Sequence, residues 1–416
     1  MKQTHLTLAC LALLLTACAA VPIGPKRTFN NWDDTPARVP SPTPLASSTL
    51  AMPQASPTPA TPSPTAIPTT LPTPTPAELS ESAQPSAPSE LHFDYPTPQA
   101  VMSPTEFGIQ INGCDKDVPS ALAIVKRMGL TWIKQQARWA DIETAPDRFD
   151  WASLDRVNPV AHAAGFKLLI SVTSAPAHTR SIYRSASAGV FNETSGRPMD
   201  FRDYGRFVAQ MLLRYPKQIQ AVEIFNEPNL MREWGDAMDG AVYAQLLAVG
   251  YGAVKAIDPS IMVISAGLGP TQLNQQWYAV DDAEFLRRLF EYDGLQNADC
   301  IGAHANGPDG VGEIQLVGPR YFDLAERGRP LCFTEFGYAI PVDGRAPEGF
   351  GWAMSHTPER QVEVLLSGMR WARQSSFVRL VILWNLNFDG SASDPNAPYA
   401  LVRRGWESVL AQQPIP

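Results

Sequence analysis

Eight short apolar runs, each separated from the next by a longer amphipathic stretch, constrain this chain more than any other feature. The runs fall at residues 107–112, 131–136, 167–173, 221–225, 261–266, 300–303, 331–334 and 378–384. Between them lie helical patterns at 120–128, 154–164, 201–215, 241–257, 283–292, 320–327 and 358–374. Turn residues mark the boundaries: Gly129, Gly165, Asp258-Pro259 and Gly328. Strands that are apolar almost throughout are buried on both faces, and intervening helices supply the cover, so the pattern predicts a parallel sheet. Eight such units, ending in a helical stretch near Glu407, close into an α/β (β/α)8 TIM barrel better than they build an open sheet. The rival is a doubly wound sheet, but no Gly-rich phosphate loop follows the first strand, as such a fold would use.

A barrel needs roughly 250 residues, and the chain has 416. The surplus is N-terminal. A large share of the 39 prolines falls before residue 100, in a Pro/Ser/Thr-rich stretch too poor in large apolar residues to offset the cost of ordering it. It reads as a disordered linker, a spacer of ~3 Å per residue where extended. Ahead of it come Lys2, an apolar stretch from Leu6 to Leu15, and then Leu15-Thr16-Ala17-Cys18. That string resembles the lipobox of bacterial lipoproteins, and the alternative is a secretory signal with a chance cysteine. The resemblance implies cleavage before Cys18, acylation of its sulfur, and a cell-surface protein touching the membrane only through that lipid. The expected organisation is a signal peptide at 1–18, a linker at 19–103 and one folded domain at 104–416.

The net charge of −8 disfavours nucleic acid and anionic lipid as partners, since both would be repelled. A neutral polysaccharide is unaffected by it. Cys114, Cys300 and Cys332 form no metal-type CxxC, and Cys300 and Cys332 read as small buried hydrophobes. Export permits a disulfide, but the spacing assigns none.

In such barrels the chemistry sits at the C-terminal strand ends. Here those ends carry Arg138-Trp139, Ser174 to His178, Asn226-Glu227-Pro228-Asn229, His304-Ala305-Asn306, Glu335-Phe336-Gly337-Tyr338 and Trp384-Asn385. A barrel built only for stability has no reason to gather carboxylates, imidazoles and indoles at one rim. Glu227 and Glu335, on the fourth and seventh strands, face each other across the mouth. Two carboxyl groups so placed suit glycosidic-bond cleavage, one as acid and one acting on the anomeric carbon. Their proximity is expected to raise one pKa and keep the acid protonated.

The string Glu223 to Asn229 resembles the strand-four Asn-Glu-Pro signature of clan A glycoside hydrolases, the group of the family five cellulases and the family thirty-nine xylosidases. Thr334-Glu335-Phe336-Gly337 is similar to their strand-seven nucleophile motif, and the segment from Trp139 to Gly165 to their strand-two-to-three region. The likeness spans almost all of 105–410. It implies a retaining glycoside hydrolase with Glu227 as acid/base and Glu335 as nucleophile. It also implies Asn226 on the sugar 2-hydroxyl, Arg138 steadying the nucleophile, and His304 and Trp384 lining the cleft. One departure stands out: where many members carry His-x-Tyr on strand six, this chain has Asn306, so Tyr338 is a candidate substitute. His178, Trp139 and Trp234 are either cleft residues or packing residues, while Glu143 and Asp150 read as structural and Glu223 as supporting. No metal or organic cofactor is expected, the partner is a carbohydrate, and the chain is expected to act as a monomer. The rival readings are a catalytically silent glycan-binding barrel and a transglycosylase using the same residues.

Overall fold

The computed structural model describes residues 104–415, apart from 113–116, 181–183, 186–188, 191–194, 276–277, 389–390, 404 and 413. The expectations for 1–103, Cys18 included, and the state of Cys114 lie outside the described residues.

Eight strands form one parallel sheet: β1 (Glu106–Gln110), β2 (Trp132–Arg138), β3 (Lys167–Thr173), β4 (Ala221–Ile224), β5 (Met262–Ser265), β6 (Ile301–Ala305), β7 (Leu331–Phe336) and β8 (Val378–Leu383). Their spatial order is β6-β7-β8-β1-β2-β3-β4-β5. A bridge from Ile264 to Cys300, at the start of β6, joins the two ends. The fold is therefore the expected (β/α)8 barrel.

Among the described residues, seven helices of ten residues or more follow the strands: α1 (Val118–Arg127), α2 (Ala152–Ala163), α3 (Phe201–Arg214), α4 (Gly240–Ile257), α5 (Asp282–Glu291), α6 (Ile314–Leu324) and α7 (Pro358–Gln374). Asp117, Asp200, Asp239, Asp281 and Thr357 cap five of them by accepting a backbone N–H, each worth about 1 kcal/mol. The sixth helix departs from the sequence reading. It begins at Ile314, not at 320, and runs through Pro319. A proline there costs ~3 kcal/mol, which the burial of Ile314, Val317 and Tyr321 offsets.

The barrel interior is layered. Its lower layer is apolar, with Trp132, Leu169, Ala221, Met262, Cys332 and Ile382 in one buried cluster. Strand side chains alternate with period two, so the next inward positions are Lys134, Ser171, Glu223 and Thr334, all buried. The register of β7 shifts between Phe333 and Phe336. Thr334 and Glu335, neighbours that would normally face opposite ways, thus both reach interior partners.

The reading of Cys300 and Cys332 needs correcting. Both are buried, but their sulfurs are bonded at 2.02 Å, stapling the base of β6 to β7. Parallel pairing in register, with Gly302 opposite Cys332, brings the two together; a separation of 32 residues does not disclose that.

Candidate active site

The chain leaves β4 through a strained turn. Phe225 and Glu227 adopt φ of 74° and 39°, the left-handed region that costs a non-glycine residue roughly 1–2 kcal/mol. Hydrogen bonds hold it there: Phe225 N donates to Val172 O at 3.1 Å and Glu227 N to Gly267 O at 3.0 Å. The turn directs the Glu227 carboxyl into the barrel mouth, toward Glu335 on β7. One oxygen from each carboxylate and one nitrogen of His304 lie within 4.8 Å of one another. His304 Nδ1 is 3.0 Å from Glu227 Oε1 and 3.6 Å from Glu335 Oε2. Gly267 makes room for this imidazole, because a Cβ there would fall 2.1 Å from His304 Cδ2.

Beneath the pair lies a buried cation. Lys134 Nζ is 3.2 Å from Glu335 Oε1 and 3.2 Å from Glu223 Oε2, and it donates to Thr334 O at 3.2 Å. Glu223 Oε1 accepts from Thr334 Oγ1 at 2.6 Å and from Gly267 N at 3.0 Å. On β6, Asn306 Nδ2 donates to Glu335 Oε2 at 2.9 Å, and the Asn306 carbonyl accepts from the Tyr399 hydroxyl. Above, Arg232 Nη2 donates to Glu227 Oε2 at 2.9 Å.

These contacts set the protonation. Burial alone would push the Lys134 ammonium down, but the charges of Glu223 and Glu335 outweigh it and hold the proton. Burial would likewise disfavour charge on His304, yet the Glu335 charge and the bonds to Glu223 and Glu227 raise it to about 10. Glu223 and Glu227 are pushed up by burial, then pulled well below the carboxylate range by Lys134 and His304 for the first, and by His304 and Arg232 for the second. Arg232 is 66% exposed, so water weakens its share, and His304 is the firmer cause. The expected raised carboxyl is not found at Glu227, which is held below its ordinary range, while its partner His304 is the group pushed toward the charged form.

The other candidates divide. Asn226 is buried beside Glu227, and its Oδ1, itself buried, has no hydrogen-bond partner among the described residues. Trp384 is buried at the β8 end, its ring 5.9 Å from Lys134 Nζ. Arg138 places Nε 3.0 Å from Asp141, and the cation found against Glu335 is Lys134, two β-repeats deeper on the same strand. Arg138 and His178 line a cleft of about 470 Å³ whose lining includes neither Glu227 nor Glu335. Tyr338 does not replace the strand-six tyrosine: its ring stacks on His356 with centroids 4.3 Å apart and its hydroxyl faces Asp309 at 3.5 Å. Asn306 makes the contact to Glu335 instead. Trp139 and Trp234 are fully buried packing residues; Trp139 donates to Glu143 at 2.6 Å and stacks on Phe207. Glu143 also binds Arg206, and Asp150 caps Ala152 N, both structural as expected.

Glu227, His304 and Glu335 have the spacing of a metal-ligand set, but Lys134 and Arg232 already press positive charge against both carboxylates. That charge disfavours a further cation between them.

No protein-family model matches the chain, and no curated protein does. Solved structures share the fold. A family 39 glycoside hydrolase from Bacteroides cellulosilyticus WH2 superposes with a TM-score of 0.56 at 18% identity, over 74% of this chain and 63% of that one. A monomeric β-xylosidase from Caulobacter crescentus CB15 gives 0.52 at 20% identity, over 75% and 66%. A GH10 endoxylanase from a sugarcane soil metagenome gives 0.50 at 14% identity, over 74% and 94%. The chain spans slightly under two thirds of the length of the first two.

Proposed function

We propose that this chain is a retaining glycoside hydrolase that cleaves O-glycosidic bonds of an oligo- or polysaccharide. The observation that carries the reading is the approach of Glu227 and Glu335, from opposite walls of the barrel, to within 4.8 Å at a shared histidine. Retaining enzymes hold their carboxyl groups ~5–5.5 Å apart and inverting ones ~6.5–9.5 Å, to admit a water. The short separation supports direct attack.

In this mechanism Glu335 attacks the anomeric carbon while Glu227, protonated from His304 Nδ1 at 3.0 Å, passes that proton to the departing oxygen, so one C–O bond forms as another breaks. Glu227 then takes a proton from water, which attacks the same carbon and releases Glu335. Lys134 and Asn306 hold the Glu335 carboxylate in place from two sides, a preorganisation that fixes the nucleophile before substrate arrives. Asn226 offers its free Oδ1 to a sugar hydroxyl. Acid, nucleophile and base all come from the chain, so the reaction calls for no cofactor.

Two features support an exported protein: the lipobox-like Leu15-Thr16-Ala17-Cys18, with Cys18 as the lipidation site, and the Cys300–Cys332 disulfide, since disulfides persist in oxidising compartments. The decisive experiment pairs Glu335→Gln and Glu227→Ala with mass spectrometry after exposure to an activated fluoroglycoside. A covalent glycosyl adduct on Glu335, and turnover reduced on the order of 10⁴-fold in Glu335→Gln, is the expected result. Full activity in either variant rejects the assignment. Saturable glycan binding without an adduct would identify a silent binding barrel instead.

A further inference from the structure

The two oxygens of Glu227 have unlike partners. Oε1 faces inward to His304 at 3.0 Å, whose ring is fully buried. Oε2 faces Arg232 at 2.9 Å, whose side chain is 66% exposed. Arg232 sits on the short helix Met231–Trp234 directly after β4, and its only other close carboxylate among the described residues is Glu233, at 3.6 Å. Tyr278, half exposed, lies near enough to interact electrostatically with the guanidinium. An exposed cation therefore meets the outward oxygen of the acid/base, and an exposed aromatic ring lies within electrostatic range of that cation.

Resting on the glycosidase reading above, this arrangement poses a problem that the substrate must solve. While Oε2 is paired with Arg232 as a carboxylate oxygen it holds no proton to give a leaving oxygen, and the guanidinium favours that unprotonated form. Arg232 is the exposed partner of this pair, so water can take over its hydrogen bonds and Arg232 can swing off. Yet a sugar seated there would strip water from the guanidinium just as protonation of Glu227 removes its countercharge. A neutral sugar then leaves Glu233, at 3.6 Å, to face the desolvated guanidinium, a weaker compensation than a pair in contact. A carboxylate on the sugar compensates it, because carboxylate and guanidinium pair through two parallel hydrogen bonds.

We propose that Arg232 and Tyr278 form a leaving-group subsite for a uronic-acid residue, whose carboxylate draws the guanidinium away from Glu227. The ring of Tyr278 provides the apolar face on which the sugar lies, and Arg232 reads the charge. The net charge of −8 opposes the approach of an acidic glycan at long range, but salt screens that beyond about 8 Å. Recognition is then local, and Arg232 is the residue that supplies it.

The test compares β-linked disaccharides that differ only in the reducing-side residue, glucuronate or glucose, across glucosyl, mannosyl and xylosyl donors. For the full-length protein the uronate member is expected to lead in kcat/KM by at least about tenfold, the lower end for a charge-assisted hydrogen bond. Arg232→Met is expected to bring that ratio near one, and Arg232→Lys to leave part of it. Because the readout is a ratio within each protein, a general loss of activity does not imitate it. Cleavage of the glucose member with no uronate preference, or a preference that survives Arg232→Met, overturns the proposal while leaving the glycosidase reading standing. No cleavage of any donor, together with no fluoroglycoside adduct on Glu335, overturns both.

Discussion

In the lower half of the barrel interior Trp132, Leu169, Met262 and Ile382 meet as they would in any apolar core. In the upper half β2, β4, β6 and β7 present Lys134, Glu223, His304 and Glu335, with Lys134 held 3.2 Å from both Glu223 and Glu335. The lower layer is a stability device, since burying such side chains yields about 1.5–3 kcal/mol each. The upper layer is not: exchanging buried ion pairs for well-packed apolar residues is often neutral or stabilising. Two residues of strand separate the rules. The charged layer is explained by the chemistry above it, whose two carboxylates need a fixed, dry support.

The largest test of that contrast is Lys134→Met. It leaves Glu223 and Glu335 uncompensated, and chemical denaturation should show a loss of about 3–5 kcal/mol, with turnover collapsing as well. Adding Glu223→Gln should recover most of the stability without recovering turnover. Recovery of both would mean that the charged layer is only a packing device.

Next comes the proton on His304, raised to about 10. Because the folded value lies above the ordinary one near 6.5, its stabilising contribution is complete below about pH 6.5 and is lost as pH climbs toward 10. The stability difference between the wild type and His304→Asn should shrink across that window, and NMR of the imidazole should find it protonated at pH 8. A ring that titrates near its ordinary value would break the comparison. Glu223 and Glu227 carry the opposite sign: their folded values are depressed, so their contribution is lost only as pH falls below the normal carboxylate range.

The bond between Cys300 and Cys332 belongs to the lower layer and should behave like it. Replacing both with serine is expected to cost about 3–4 kcal/mol, the chain-entropy value for a loop of this length, as a drop in Tm that reducing agent reproduces in the wild type. Substrate preference should not move. Smallest is Ile382→Val, about 0.5–1.5 kcal/mol, again with an unchanged pH–rate profile. If this one methylene alters the profile, the two layers are not independent.

The eight strands were legible because burial on both faces writes an unbroken apolar run. Helix ends were legible within a residue or two wherever a cap or glycine marks them, except at Gly328, where the helix stops at Leu324 and not at 327. The start at Ile314 was not, since Pro319 imitates a boundary that packing overrides. Glu227 and Glu335 could be found because a carboxylate at the end of an apolar strand is out of place. The same logic applies to Lys134, a lysine inside the apolar run Trp132-Ile133-Lys134, and the stronger motif at Arg138 obscured it. Asn306 showed only as a departure from a pattern, and neither Arg232 nor Tyr399 left any mark.

What the sequence determined by itself is the periodic alternation, and with it the number of strands, their parallel sense and the rim at which acids accumulate. These depend on local patterning, which one stretch of chain can encode. What the tertiary structure decided is who meets whom. Lys134 under Glu335, His304 between two carboxylates, and Cys300 joined to Cys332 all arise from the stagger between neighbouring strands. That stagger is fixed only when the ring closes and its layers pack, because contacts across a barrel join residues that no local pattern relates.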